Sequence, residues 1–337
     1  MTQESPLKAA QARFINVVPF RSTGSTTKSL IDANGFTLYE DAVAGSDMPP
    51  YPRAIVEGFL VNAADTQGAN ETHPVSFRVI GKVMPGDRNC PVPGKGEAVE
   101  VATGSLVCAG SFAIVRMWEA KREESQFSVS RPFPPAFFVE QQGCDIRQGA
   151  VVVARGTILG PWELGLLAGL GVDELRVAQP ATVAIFSCGD EVIPHTQDLY
   201  PGAIRDSNSI MLSAAVTNAG GIPRFAGIMR DDFDGFLARL NSALATNSMA
   251  LISGGTAAGG RDFVSDLIRA AGELVVDGVP MKSGRPLIMG IANGKPIVAV
   301  AGHPPEALRG FRLFGAAAID RIMGRERPLP DDEQPVA

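Results

Sequence analysis

The C-terminal part of this chain alternates strand-like and helix-like segments, and this alternation constrains the fold more than any other feature of the sequence. Strand-type apolar runs and helix-type segments follow one another at residues 181–187, 209–220, 224–229, 231–245, 248–253, 262–272, 296–301 and 304–324. Strands that alternate with helices indicate a parallel sheet covered on both faces. We therefore predict an α/β fold whose main domain is a doubly wound, mostly parallel sheet.

The N-terminal part of the chain follows a different pattern. Short β-type runs between residues 55 and 144 are divided by Gly- and Pro-rich stretches, which is typical of an all-β module. Residues 149–175 combine a strand, a helix that could start at Pro161 and a glycine stop. A length of 337 residues agrees with more than one core.

Composition excludes several functional classes. The net charge of −6 provides no general attraction for nucleic acid. No apolar run approaches the ~20 residues of a membrane span, and the first residues lack the apolar core of a secretion signal. The four cysteines are scattered without metal-binding spacing, which suits reduced thiols. We expect a soluble, cytoplasmic protein with neither nucleic acid nor membrane as a partner.

Three strand-to-helix loops should open at one edge of the sheet, where ligands of such folds bind. They are SCGDEVIP (187–194), SGGTAAGGRD (253–262) and AGHPPEA (301–307). In the second loop, Ser253, Gly254 and Gly255 begin a glycine-rich stretch whose backbone N–H groups could face an anion. A tight turn with no ligand role is the alternative.

Acidic residues cluster in the same positions. Asp190 and Glu191 follow one strand, Asp231 follows the next, and Asp262 begins a helix. Carboxylates on successive loops could supply Mg²⁺ with oxygen ligands. A solvated acidic loop is the alternative for Asp190 and Glu191, and helix capping is the alternative for Asp231, for Asp232 next to it and for Asp262.

The segment MKSGRP places two cations, Lys282 and Arg285, around a glycine. Such a pair could bind phosphate or an oxyanion such as molybdate. A surface loop with incidental charges is the alternative. His303, near the start of a predicted helix, fits a shape-determining or hydrogen-bonding role better than metal ligation.

Several motifs, in this order, resemble the molybdopterin molybdenumtransferase family (MoeA and the gephyrin E-domain). They are SDMPPYPRAIVEGFLVNAADT, VATGS, GCDIRQGAVVVARGTILGPWELGLLAGLGV, FSCGDE, DSNS, MRDD, SGGTAAGGRDF, MKSGRP and AGHPP, which span about residues 45 to 326. The resemblance implies Mg²⁺-dependent insertion of molybdate into adenylylated molybdopterin, with release of AMP. It also implies a homodimer whose site lies between two subunits, and a MogA-like adenylyltransferase or a recipient molybdoenzyme as a partner.

The resemblance assigns roles by position. Catalytic roles fall to Glu191, Asp262, Asp145 and Glu57, and metal ligation falls to Glu191, Asp231 and Asp262. Ligand binding falls to Thr103, Ser253, Gly254, Gly255, Lys282, Arg285 and Pro304.

The resemblance further implies a three-part body. Residues 1–50 plus 145–177 would form an elongated mixed α/β domain, 51–144 an inserted β module, 178–326 a molybdopterin-binding α/β domain, and 327–337 a tail. The small C-terminal β-barrel of family members is expected to be missing, because little sequence follows residue 326.

Departures from the family pattern keep a second hypothesis open. Glu57 stands where the family has aspartate, Gly260 and Gly278 stand where it often has an acid and a lysine, and Ala301 and His303 alter its PGNP motif. Two readings therefore remain: an active molybdotransferase, or a non-catalytic molybdopterin- or cofactor-binding carrier, sensor or scaffold.

Overall fold

The computed structural model describes residues 5–123, 125–230, 232–255, 263–279 and 286–330. Asp231, Asp262, Lys282 and Arg285, all predicted site residues, lie outside these ranges. The chain divides into two compact units. Unit 1 comprises Met1–Asp41, Ala154–Gly165 and Val172–Ala337, and unit 2 comprises Ala42–Val153 and Leu166–Gly171. The three-part division remains a prediction.

The described residues form seven α-helices, numbered here in chain order: α1 Pro6–Val17, α2 Pro161–Gly169, α3 Asn208–Asn218, α4 Phe233–Thr246, α5 Phe263–Ala271, α6 Pro304–Gly310 and α7 Ala316–Ile322. None of the helices in these ranges has the length and apolarity needed to cross a membrane.

Twenty strands accompany the helices in the same part of the chain. Those before residue 150 are β1 Ser25–Ser29, β2 Ala42–Val43, β3 Arg53–Ala54, β4 Gly58–Asn62, β5 Val75–Val83, β6 Glu97–Val101, β7 Phe112–Arg116, β8 Lys121–Glu123, β9 Gln126–Val129 and β10 Val139–Glu140. Those after it are β11 Val151–Val153, β12 Glu174–Ala178, β13 Thr182–Cys188, β14 Val192–Ile193, β15 Ile204–Arg205, β16 Ile222–Met229, β17 Met249–Ser253, β18 Glu273–Asp277, β19 Ile288–Ala292 and β20 Lys295–Val300.

Unit 1 is built on a six-stranded sheet of order β16-β13-β17-β20-β19-β18. Its first four strands are parallel, and β19 and β18 add an antiparallel edge. Ser187 of β13 pairs with Ser253 of β17, which pairs with Val300 of β20. Because these three strands end at the same level, the loops that follow them leave the sheet side by side.

Alternating side chains of the sheet supply two separate cores. On β13, Val183 and Ile185 pack in one cluster with residues of α3, α6 and α7, and Ala184 and Phe186 pack in the other with residues of α4 and α5. Helices therefore cover both faces, as a buried parallel sheet requires. This arrangement confirms the predicted α/β, doubly wound and mostly parallel fold class.

Some elements differ from the sequence prediction. The hairpin of β18 and β19 and the first helix, α1, were not predicted. The predicted helix over 304–324 is divided by a π-helical turn, Phe311–Gly315. Gly315 allows that turn to pack tightly, since a Cβ there would lie 2.5 Å from a ring carbon of Phe311.

Unit 2 contains a six-stranded sheet of order β7-β4-β6-β5-β9-β8, in which only β5 and β6 pair in parallel. Its core includes a stack of three phenylalanines: Phe127 lies 4.2 Å from Phe59 and 5.4 Å from Phe77, ring centroid to ring centroid. The predicted β-type runs thus form one sheet around an aromatic core.

Candidate functional site

A cavity of about 480 Å³ lies at the carboxyl edge of the unit 1 sheet. Its walls come from the loops after β13, β17 and β20 and from residues 204–208, which lead into α3. Five predicted site residues line it: Glu191, Ser253, Gly254, Gly255 and Pro304. The three loops singled out from the sequence therefore meet at one place, although the roles of their residues stay predictions.

The turn after β17 requires glycine at two successive positions. Gly254 and Gly255 have φ angles of 89° and 70°, which L-residues with a side chain rarely adopt. A Cβ on Gly254 would lie 2.5 Å from the carbonyl oxygen of Cys188, and one on Gly255 would lie 2.9 Å from the Cys188 sulfur. The tight turn is thus real, and the backbone it presents to the cavity has no side chain over it.

Glu191 lies on the loop after β13, and its side chain is exposed. Its own carbonyl oxygen accepts a hydrogen bond of 2.8 Å from the N–H of Ile204. The short strands β14 and β15 pair next to this bond and connect the loop to the segment before α3. Glu191 therefore offers a solvent-accessible carboxylate, and its backbone is fixed by the bond from Ile204 and by the pairing of β14 with β15.

Buried polar side chains form the inner wall of the cavity. Ser187, Asp206 and Asn208 are 3%, 5% and 9% exposed, and all three line the cavity. Within the described part of the chain, the hydroxyl of Ser187, Oδ2 of Asp206 and Oδ1 of Asn208 have no hydrogen-bond partner. A buried polar atom without a partner costs about 1–3 kcal/mol, so such atoms are rare outside sites that bind a ligand or water.

The other atoms of these side chains are firmly bonded. Oδ1 of Asp206 accepts from the N–H of Ser209 at 3.0 Å and so caps α3. Nδ2 of Asn208 donates to Oγ of Ser253 and to the carbonyl oxygen of Gly302, both at 2.7 Å. One amide thus connects the start of α3 with the loops after β17 and β20.

Sequence reasoning assigned no role to Ser187, Asp206 or Asn208. The last two belong to the DSNS segment, which was noted only as part of the resemblance. Its position before a helix gave a capping signal, and Asp206 does cap α3. Burial of its second oxygen depends on how the loop folds back over the sheet, which no local pattern shows.

Asp232 illustrates the alternative reading of the acidic residues. Its side chain accepts a hydrogen bond of 3.2 Å from the N–H of Gly235 at the start of α4. It is a helix cap. The neighbouring Asp231, like Asp262, Lys282 and Arg285, lies outside the described residues, so its proposed role stays a prediction.

Unit 2 carries three further predicted site residues, and all are exposed: Glu57, Thr103 and Asp145. Glu57 precedes β4, where a Cβ on Gly58 would lie 2.1 Å from the carbonyl oxygen of Val115. Thr103 occupies the tip of a turn in which the N–H of Gly104 donates to the carbonyl oxygen of Ala54 at 2.7 Å. Both residues are therefore presented by rigid backbone.

Asp145 belongs to a small group of potential metal ligands in unit 2. One ligand atom each of Glu140, Cys144 and Asp145 lies within 4.8 Å of the others. Glu140 already forms an ion pair with Arg53. This mixed group differs from the all-carboxylate set predicted for Mg²⁺, and it does not include Glu191.

A doubly wound sheet with a polar cavity at its carboxyl edge is typical of ligand-binding α/β proteins. Comparisons with known protein families narrow this class. Residues 184–321 match the family described as "probable molybdopterin binding domain". Residues 5–171 match "MoeA N-terminal region (domain I and II)". The chain belongs to the MoeA family.

Relatives agree along almost the whole chain. A molybdopterin molybdenumtransferase of Staphylococcus aureus is 27% identical over 326 residues, which are 96% of this chain and 77% of that protein. A molybdopterin biosynthesis MoeA protein from Pyrococcus horikosii has a solved structure that superposes with a TM-score of 0.80 at 31% identity and covers 96% of this chain and 81% of that one. A second structure, of a MoeA protein from Pyrococcus horikoshii OT3, gives a TM-score of 0.81 at 28% identity.

Proposed function

We propose that this protein is a transferase of molybdenum cofactor biosynthesis that inserts molybdate into adenylylated molybdopterin, with Mg²⁺ present and AMP released. One observation carries the proposal: an exposed carboxylate, Glu191, and the side-chain-free turn Gly254–Gly255 border the same cavity. A phosphoanhydride is bound by a cation held on an acid and by backbone that its oxygens can approach closely; the N–H of Gly254 itself donates to the carbonyl oxygen of Val300 at 3.1 Å.

The described residues fit Mg²⁺ in their chemistry. Mg²⁺ prefers oxygen ligands and usually takes only one or two carboxylates together with substrate phosphate and water. Glu191 would supply one carboxylate, and Asp231 and Asp262 are the predicted others. Bound Mg²⁺ would neutralise phosphate charge and polarise the bond to be broken.

The chain itself orients the substrate. The turn at Gly254 and Gly255 lets a phosphate approach the backbone closely. Glu191 would hold Mg²⁺, and the ion would supply positive charge to the phosphate. Lys282 and Arg285 are proposed to neutralise the oxyanion charge of molybdate and phosphate. Glu57, Thr103 and Asp145 are proposed to complete the site from the unit 2 side of a homodimer.

The proposal is tested by incubating the full chain with adenylylated molybdopterin, molybdate and Mg²⁺ and measuring AMP by chromatography. We expect Mg²⁺-dependent AMP release that Glu191→Gln lowers about 10²-fold, because the amide keeps the shape of the side chain and loses its charge. Glu174→Gln, at an exposed strand position outside the cavity, is the matched control and should retain activity. Wild-type protein that binds the substrate and releases no AMP would contradict the enzymatic proposal.

A non-catalytic molybdopterin or cofactor carrier, sensor or scaffold is the second candidate. The observation that favours it is that Ala301 and His303, both departures from the family pattern, line the cavity itself. The same incubation separates the two candidates, since a carrier retains the ligand intact. Partner proteins, whether a MogA-like adenylyltransferase or a recipient molybdoenzyme, fit either candidate.

A further inference from the structure

The inner wall of the cavity is made of hydrogen-bond acceptors, and this polarity is fixed by the structure. The amide of Asn208 has only one possible orientation, because the carbonyl oxygen of Gly302 can accept but not donate and must therefore face the NH₂ group. Oδ1 of Asn208 then points away from that bond and has no partner among the described residues.

Ser253 strengthens the same assignment. Its hydroxyl donates to the carbonyl oxygen of Ala301 at 3.2 Å and accepts from Nδ2 of Asn208 at 2.7 Å. The bonds thus run from Nδ2 of Asn208 through the hydroxyl of Ser253 to the carbonyl oxygen of Ala301, and Oδ1 of Asn208 takes no part in them. Oδ2 of Asp206 is a second oxygen without a partner among the described residues, while Oδ1 of Asp206 accepts from the N–H of Ser209.

A ligand that satisfies this wall must present donors. Phosphate and molybdate carry acceptor oxygens and negative charge, so they are unsuited to face Asp206 and Oδ1 of Asn208. Their place is the turn at Gly254 and Gly255, where no side chain covers the backbone. The hydroxyl of Ser187 can donate or accept and adapts to either kind of group.

We propose that Asp206 and Asn208 recognise the aminopyrimidine edge of a pterin, with Oδ2 of Asp206 accepting from the 2-amino group. This inference rests on the proposed function for its ligand class and adds the orientation: the heterocycle faces the start of α3 and the phosphate faces the glycine turn. An amino group and a ring N–H on the same edge of a pterin match the two acceptors, Oδ2 of Asp206 and Oδ1 of Asn208, in hydrogen-bonding character. Asp206 is thereby a specificity-determining residue.

A pair of probes differing in one group tests the proposal. The 2-amino donor of 6,7-dimethylpterin is replaced by an oxo acceptor in 6,7-dimethyllumazine, and both fluoresce. Fluorescence titration of the full chain in EDTA should show a preference for the pterin of about tenfold or more, the size of one hydrogen bond to a charged group. In Asp206→Asn the preference should fall below about twofold or reverse, because the new NH₂ group pairs with the oxo group.

Asp206→Asn is expected to fold, because its amide oxygen still accepts from the N–H of Ser209. Thermal unfolding checks this. Asp41→Asn is the matched control: Asp41 also accepts a backbone N–H, that of Arg155 at 2.7 Å, and does not line the cavity. It should keep the wild-type preference.

Three outcomes would overturn the inference: no measurable binding of dimethylpterin by the wild type, equal affinity for both probes, or an unchanged preference in Asp206→Asn. A preference seen only with Mg²⁺ and lost in EDTA would also overturn it, because the acceptors would then be metal ligands. The AMP assay separates this test from that of the proposed function. If the protein prefers the pterin through Asp206 but releases no AMP, the inference stands and the proposed reaction is wrong. If it releases AMP but shows no preference that depends on Asp206, the reaction stands and the inference is wrong.

Discussion

In unit 1 the polar side chains of the candidate site are mostly buried and partly without partners, whereas in unit 2 the candidate acids and the threonine are exposed. Asp206 and Asn208 are fixed by hydrogen bonds through one side-chain atom, and each has a second, buried oxygen without a partner among the described residues. Glu57 and Asp145 carry their charge in solvent. A buried acceptor suits recognition by hydrogen bonds, because desolvation makes an unmade bond costly. An exposed carboxylate suits a reacting group that must be reached.

The largest effect is expected at two predicted catalytic acids, one in each unit. Glu191→Gln in unit 1 and Asp145→Asn in unit 2 should each lower AMP release about 10²-fold, the scale of losing one catalytic group. If the predicted homodimer shares its sites between subunits, a mixed dimer of the two variants contains one intact site.

Co-expression of the two variants with different tags, followed by sequential purification, measures this directly. Mixed dimers should recover activity that neither parent shows, and dimers of Glu191→Gln with itself are the control. Mixed dimers as inactive as both parents would place all the groups in one subunit.

The second effect concerns the rigid turn of unit 1. Gly254→Ala adds a Cβ at 2.5 Å from a backbone oxygen in a left-handed conformation, so we expect a loss of about 2–4 kcal/mol in the free energy of unfolding. Gly35→Ala is the control, because Gly35 has a similar φ of 80° and nothing within 4 Å of its added Cβ. It should lose only about 1–2 kcal/mol, the cost of the conformation alone. Equal losses in denaturant unfolding would refute steric crowding at Gly254.

The third prediction concerns a carboxylate of unit 2 that is hydrogen-bonded to two arginines. Glu119 accepts from Arg116 at 2.8 Å and from Arg131, and the Arg116 hydrogen bond, against some desolvation, lowers the pKa of Glu119 to about 2. Since the folded pKa is depressed, its contribution is present above the ordinary glutamate pKa of about 4.3 and lost as the pH falls toward 2. Glu119→Gln should therefore cost about 1–2 kcal/mol at neutral pH, allowing for solvent screening.

Thermal unfolding of wild type and Glu119→Gln between pH 7 and pH 3 should show this difference shrinking. Glu123→Gln, at an exposed position of β8, is the control and should show little change. A gap that stays constant with pH would mean that the charge of Glu119 does not stabilise unit 2.

The smallest effect on the free energy of unfolding is expected at the buried hydroxyl of Ser187 in unit 1. Ser187→Ala removes a buried hydroxyl that has no partner among the described residues, so the free energy of unfolding of the unliganded protein should change by less than about 0.5 kcal/mol, or rise. This contrasts with Glu119, where bonds are lost. A loss above about 1 kcal/mol in the unliganded protein would show that the hydroxyl is satisfied there by water.

The residues at the edge of the sheet could be predicted from the sequence, whereas the buried polar residues in the wall of the cavity could not. Glu191 and the glycine turn could be found because strand ends in a parallel sheet are fixed by topology. Ser187, the last residue but one of a buried strand, gave no signal apart from its polarity. Asp206 and Asn208 follow a loop whose path over the sheet depends on long-range backbone bonds, such as that between Asp206 and Ile193.

Other differences also have local causes. The strand β18 is short and is followed by MKSGRP, which was read as a loop between charged residues. The helix α1 was hidden in a stretch interpreted as polar, although Ser5 caps it and Phe14 is fully buried. Packing against the rest of unit 1 stabilises both β18 and α1, and local sequence patterns do not reveal such packing.

The level ending of β13, β17 and β20 sets the loops that follow them side by side at one edge of the sheet. The strands are held by their own backbone pairing and by the cores on both faces, so loop residues such as His303 or Pro304 can be exchanged without disturbing the sheet beneath them. The sheet edge is thus a constant scaffold, and the loops that it carries are the replaceable part. Loop replacement on an unchanged scaffold is therefore a practical route to altering the cargo that this protein accepts.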